Sequence, residues 1–110
     1  MPVLELVAIG HRSGQERSVL LSYVPTDSGP ALAGTNGGAE LDPAWAKNLR
    51  ATPDARVREG GTWREVRARF LDGDEYEAVW ERFTAANRVY AQYREATDRT
   101  VPLVVLEPAS

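Results

Sequence analysis

Apolar positions recur at every second residue in some stretches of this chain and at every third or fourth in others, and the change of period marks the elements. Val3 to Ile9 and Ser18 to Val24 alternate or cluster apolar residues as paired strands do, and a third strand-like run ends near Ala33. Arg56 to Glu59 and Thr62 to Phe70 alternate enough to be half-buried strands joined at Gly60-Gly61. Val101 to Leu106 reads as a closing strand, with Pro102 near its start, where a missing ladder donor matters least. Asp27-Ser28-Gly29-Pro30 is a further turn, so three hairpins are expected.

The helical period appears twice. Asp42 before Pro43 predicts a capped helix start, and that helix should end before Pro53. Trp45, Asn48 and Leu49 share one side of it, so an amide rides on an apolar stripe. Asp74, with Glu77 three residues on, predicts a second capped start, followed by Tyr76, Val79, Trp80, Phe83 and Asn87 at spacings of three and four. Tyr90 and Tyr93 continue the same line. About six antiparallel strands in hairpins with two or three helices predict a mainly β, α+β fold: a small closed or half-open barrel rather than a parallel sheet, which needs a helix after each strand.

At 110 residues the chain is expected to form one domain over residues 1–110, with no repeat, linker or low-complexity segment. The absence of cysteine removes disulfides, thiolate catalysis and Cys-ligated zinc, and a single histidine, His11, rules out a His-rich metal site. A formal charge of −3 argues against a nucleic-acid binder. No apolar run approaches the ~18 residues of a spanning helix, and Met1 to Ile9 lacks a signal-peptide pattern, so a cytoplasmic protein is expected. Arg64, Arg67 and Arg69 read as outer-face barrel residues, and Glu75, Glu77 and Glu81 as a solvated helix face.

The candidate chemistry begins at the first hairpin. Gly10-His11-Arg12-Ser13-Gly14-Gln15-Glu16-Arg17 packs three cation-capable side chains and two glycines into one connection. Gly14 can take positive φ, and Arg12 and Arg17 offer planar forks suited to phosphate or carboxylate. A second glycine turn, Ala33-Gly34-Thr35-Asn36-Gly37-Gly38, follows the third strand and leads into the helix carrying Trp45 and Asn48. No G-x-S-x-G elbow is present, and His11 beside Arg12 reads as a plain loop residue rather than a base. An enzyme with this inventory must take its reactivity from a cofactor.

In this order, with Tyr90-Ala91-Gln92-Tyr93 and the terminal stretch Thr97 to Pro108, nearly the whole chain resembles the deazaflavin-dependent nitroreductase family of actinobacteria, which has a split β-barrel related to flavin-binding oxidases. The resemblance implies coenzyme F420, an 8-hydroxy-5-deazaflavin with an anionic tail, as cofactor. It implies that Arg12, Ser13, Gly14, Gln15 and Arg17 meet that tail, that Thr35, Asn36 and Gly37 approach the ring, and that Trp45 and Asn48 contact the cofactor from their helix. Tyr90 and Tyr93 then form the aromatic wall on the substrate side, and Tyr90, Tyr93 and Thr35 are the hydroxyls that polarise substrate or donate a proton. The implied activity is hydride transfer to an electron-poor nitroaromatic, enone or quinone. A coenzyme carrier and an FMN oxidase on the same barrel remain alternatives, and a homodimer is a possible assembly. His11 stands where Arg is more usual, Glu16 where Pro is common, Asn36 where some members have Lys, and Asn87 where some have Tyr. The first three are expected to loosen tail binding, and the fourth to thin the substrate wall.

Overall fold

The computed structural model describes residues 1–109. Seven strands form one antiparallel sheet: β1 (Val3–Ile9), β2 (Glu16–Ser22), β3 (Val24–Thr26), β4 (Gly29–Ala33), β5 (Asp54–Glu59), β6 (Thr62–Phe70) and β7 (Leu103–Pro108), in the order β2-β1-β5-β6-β7-β4-β3. The outermost members, β2 and β3, are consecutive in sequence and separated by Tyr23 alone. One bent strand therefore pairs with β1 through its first half and with β4 through its second, which curls the sheet round. This break is why there are seven strands where the apolar pattern predicts six: the run Ser18 to Val24 is continuous in hydrophobicity but changes partners at Tyr23, whose N–H is bonded to Pro2 O at 3.0 Å.

Three helices accompany the sheet, α1 (Ala44–Ala51), α2 (Gly73–Ala86) and α3 (Val89–Glu95), with a single 3-10 turn at Asn36–Gly38. The core has two parts. Leu4, Leu6 and Ala8 of β1, Val57 of β5, Val66 of β6, Leu32 of β4 and Val104 and Leu106 of β7 close on Trp45, Ala46 and Leu49 of α1. Val24, Ala31, Leu103 and Val105 close instead on Tyr76, Val79, Trp80 and Phe83 of α2. Side chains alternate across a strand, so β7 is apolar at four successive positions, Leu103 to Leu106, because helices or barrel interior cover both its faces there, and it turns polar only at Glu107.

Both predicted helix caps are replaced. Asp42 makes no capping bond to α1, since its Oδ1 accepts from Arg99 Nη1 at 2.7 Å, and Pro43 occupies the cap position. α2 begins at Gly73 after Asp72 without a side-chain cap, and Glu77 pairs with Arg94 of α3 at 2.7 Å. In each case an arginine brought by the tertiary fold outcompetes a local backbone N–H for the carboxylate, as a charge-assisted bond can. Arg67 and Arg69 do lie on the outer face of β6, paired with Asp54 and with Glu75 and Glu107. Arg64 is a correction: three positions from Arg67, it has the opposite parity and sits across from Val57, exposed at the strand end, where it pairs with Glu59. Glu75 is likewise an ion-pair partner on its solvated face.

Candidate functional site

The two glycine connections and α1 meet around a cavity of about 810 Å³. Leu6 and Ala8 of β1 and Val19 and Leu21 of β2 supply its apolar lining. These are inward positions of the first hairpin, whose connecting loop carries Arg12 and whose second strand begins beside Arg17.

That loop is closed by its own backbone: Gly10 N–H donates to Gln15 O at 2.8 Å and Gly14 N–H to Gly10 O at 2.9 Å. Gly14 takes φ 71°, as the turn requires. Ser13 Oγ accepts from Gln15 N–H at 3.1 Å and from Arg17 Nη2 at 3.3 Å, which turns the Arg17 fork back over the loop. His11 is not the plain loop residue expected from sequence. Its N–H donates to Asn48 Oδ1 at 2.9 Å, and its Nδ1 lies 2.6 Å from the same oxygen. Two donors converge on one acceptor, since an amide oxygen accepts and Nδ1 at this distance must donate to it. Asn48 is buried at 5% exposure on the apolar side of α1, which explains the amide interrupting the stripe: it ties the basic loop to the helix.

On the facing wall, Thr35, Asn36 and Gly37 line the cavity, with Leu41 and Asp42 beyond them. Asn36 (φ 48°), Gly37 (φ 65°) and Gly38 (φ 84°) form three successive left-handed residues. Gly38 has little choice, because a Cβ there would meet Ala96 Cβ at 3.1 Å and the Tyr93 backbone at 3.6 Å. The N–H groups of Thr35, Asn36 and Gly37 find no acceptor among the described residues, which leaves three unengaged donors on a segment that lines the cavity. Asn36 itself faces partly back, with Nδ2 donating to Leu41 O at 3.1 Å.

Most of the residues expected from sequence are thus brought together: Arg12, Ser13, Arg17, Thr35, Asn36, Gly37, Trp45, Asn48 and Tyr90 all line the cavity. Gly14, Gln15 and Tyr93 do not. Gly14 and Gln15 shape the loop, and Tyr93 meets the Tyr90 ring edge-on at 5.9 Å and 83°. Burial pushes the Tyr90 phenol above its ordinary value, with neighbouring Tyr93 a smaller contribution in the same direction, so it holds its proton through neutral pH. Asn87 is exposed at the end of α2, where its Oδ1 accepts from Val89 N–H at 3.1 Å, and it forms no part of this wall. Glu16 also turns away, toward Arg56 at 3.2 Å.

Lys47 and Leu41 are among the lining residues that were not foreseen. Lys47 is three positions from Ala44 and shares its side of α1, but it is adjacent to Asn48 and about 100° from it round the helix, so a helical wheel drawn through Asn48 alone does not single it out. Leu41, 68% exposed, carries no sequence signal beyond being an apolar residue in a loop.

The electrostatics are inverted relative to the whole chain. Arg56, Arg58, Arg64, Arg67, Arg69, Arg94 and Arg99 are each paired with a carboxylate. Arg12, Arg17 and Lys47, all at the cavity, have no carboxylate partner among the described residues. Its one lining carboxylate, Asp42, is engaged by Arg99. Three unmatched cations beside an apolar floor suit a flat aromatic ligand with an anionic extension.

Residues 1–108 match the family model described as F420H(2)-dependent quinone reductase. An F420H(2)-dependent quinone reductase of Mycobacterium tuberculosis is 30% identical over 109 residues, covering 96% of this chain and 72% of the relative. A solved F420-H2 dependent reductase superposes with a TM-score of 0.87 at 32% identity, covering 96% of this chain and 94% of the other. A structure described as a domain-swapped dimer has the same TM-score and identity and covers 96% and 80%.

Proposed function

This chain belongs to the F420H(2)-dependent quinone reductase family, and from that premise we propose that the cavity holds reduced coenzyme F420 against a quinone, the chain acting as a deazaflavin-dependent oxidoreductase. The observation that carries the reading is the combination of three unpaired cations with an apolar floor and a wall of free N–H donors in one cavity. When bound, the coenzyme supplies the hydride. Arg12, Arg17 and Lys47 hold its anionic tail, while His11, tied to Asn48, fixes the loop that presents the two arginines. Val19, Leu21 and Trp45 exclude water from the ring, and Thr35 to Gly37 approach its edge with backbone donors. Tyr90 Oη, protonated and cavity-lining, delivers a proton to the acceptor carbonyl oxygen, with Thr35 Oγ1 beside the same space. Gly14 and Gln15 support this site through the loop, and Tyr93 through the Tyr90 ring.

Nitroaromatics and enones belong to the same electron-poor acceptor class and form part of the proposal, as does action in the cytoplasm. No helix among the described residues is long and apolar enough to cross a membrane. A homodimer is proposed from the relative solved as a domain-swapped dimer, and light scattering of the purified protein reads it directly.

Fluorescence titration with coenzyme F420 and with FMN tests the cofactor assignment. Tighter binding of F420 is expected, together with quinone-dependent oxidation of the reduced form. Preference for FMN would replace this reading with an FMN oxidase, and F420 binding without turnover would leave a carrier.

Arg17→Ala is expected to weaken F420 binding by about 1.5–3 kcal/mol through loss of a charge-assisted bond. Because salt screens an exposed contact, the difference from the parent should narrow as ionic strength rises. Equal dissociation constants at low salt would mean that Arg17 faces solvent only.

A further inference from the structure

Outside the cavity, Arg99 reaches back from the connection between α3 and β7 to the glycine wall. Its Nε donates to Ala39 O at 3.0 Å, its Nη2 to Gly34 O at 3.0 Å and Thr35 O at 2.9 Å, and its Nη1 to Asp42 Oδ1 at 2.7 Å. One guanidinium thus grips four points of a nine-residue segment lying 57 to 65 positions away in sequence. We propose that Arg99 is a positioning residue for cofactor binding, holding segment 34–42 in the shape that forms the cavity wall; the binding part of this inference rests on the F420 reading above.

The segment needs such a hold. It belongs to no strand, and its own bonds are few: Gly34 N–H to Pro102 O, Gly38 N–H to Thr35 O, Ala39 N–H to Asn36 O, and Asn36 Nδ2 to Leu41 O. It also carries the left-handed run at positions 36–38, a conformation a loop keeps only where its surroundings fix it. Arg99 engages carbonyl oxygens before and after that run, leaving the N–H groups of Thr35, Asn36 and Gly37 unengaged on a segment that lines the cavity. It also draws the Asp42 carboxylate into an ion pair whose side chains are only 15% and 24% exposed, removing the one lining negative charge from competition with an anionic ligand. Lysine cannot replace it, because an ammonium is a point donor and cannot span four acceptors as a planar fork does.

Arg99→Lys tests this, with Val79→Ala of α2 as a comparably destabilised variant whose change lies in the second core, away from the cavity. Three quantities are read: melting temperature, coenzyme F420 dissociation constant by fluorescence, and hydrogen exchange of segment 34–42 in the cofactor-free protein. Arg99→Lys is expected to bind F420 about 10-fold or more weakly, the scale on which misplacement of a contact wall acts. Exchange should quicken across 34–42 and stay at the parent rate in β5 and β6, while Val79→Ala keeps both affinity and the 34–42 exchange rate. Parent-like affinity and exchange in Arg99→Lys overturn the proposal, and so does an equal loss of affinity in Val79→Ala. Should Arg99→Lys fail to fold, Asp42→Asn removes the charged partner alone and must quicken exchange in the same window. A parent that binds no F420 sinks the cofactor reading instead, and the exchange measurement still decides whether Arg99 holds the wall.

Discussion

Tyr90→Phe is expected to lower quinone turnover roughly 10²-fold or more while leaving F420 affinity and melting temperature close to the parent. The ring packs against Phe83 at 5.0 Å and Trp80 at 6.4 Å, contacts that phenylalanine keeps. Its hydroxyl has no hydrogen-bond partner among the described residues, so removing it leaves no buried group unsatisfied and changes stability by less than about 1 kcal/mol. What is lost is a donor at the cavity. Since burial raises the phenol's pKa, the proton is present through neutral pH and is given up only above tyrosine's ordinary range. Parent turnover should accordingly decline on the far alkaline side, and the variant should lack that limb. Because the donated proton matters in the transition state, kcat and kcat/KM should fall together. Tyr93→Phe, one ring further from the cavity, should fall much less. Parent-like turnover in Tyr90→Phe would transfer the donor role to Thr35.

Asn48→Leu is expected to weaken F420 binding about 10- to 100-fold, although Asn48 carries no charge. Its Oδ1 is the one acceptor that joins the basic loop to α1, through both the N–H and the Nδ1 of His11. Leucine fits the buried volume but leaves those donors without a partner, at a cost of about 1–3 kcal/mol if the loop stays in place. The loop relieves that cost by swinging away, and the Arg12 and Arg17 forks move with it. A tethered fork is already ordered when the anion arrives, whereas a free one must lose rotamer freedom on binding. Calorimetric titration of the variant beside the parent, with melting temperatures on the same samples, separates the effects. An unchanged dissociation constant alongside a lowered melting temperature would reduce Asn48 to a packing residue.

The alternation from Thr62 to Phe70 located β6, whose second half puts one face on the core and one in water, and the near-continuous apolar run Val3 to Ile9 located β1, which is buried at three successive positions from Leu6 to Ala8. The spacing of Tyr76, Val79, Trp80 and Phe83 likewise located α2 and the face it buries. The glycines of the two loops and the cations of the first marked the candidate site, since turn chemistry and charge are local properties. Partner choice is not local. No pattern in Ser18 to Val24 says that the strand changes neighbours at Tyr23, because hydrophobicity records burial and not which strand provides it. The acids at Asp42 and Glu77 read as caps, yet Arg99 and Arg94 claim them from 57 and 17 positions away. His11 read as a loop residue until the fold set Asn48 beside it, and Lys47 carried no signal of its own until α1 placed it at the cavity. The sequence determined most of the elements, the covered faces and the preference of the first loop for an anion, through propensities and charges that each residue carries alone. Only the tertiary structure decided which polar groups satisfy one another, because a hydrogen bond acts over about 3 Å and depends on where the whole chain has placed both partners.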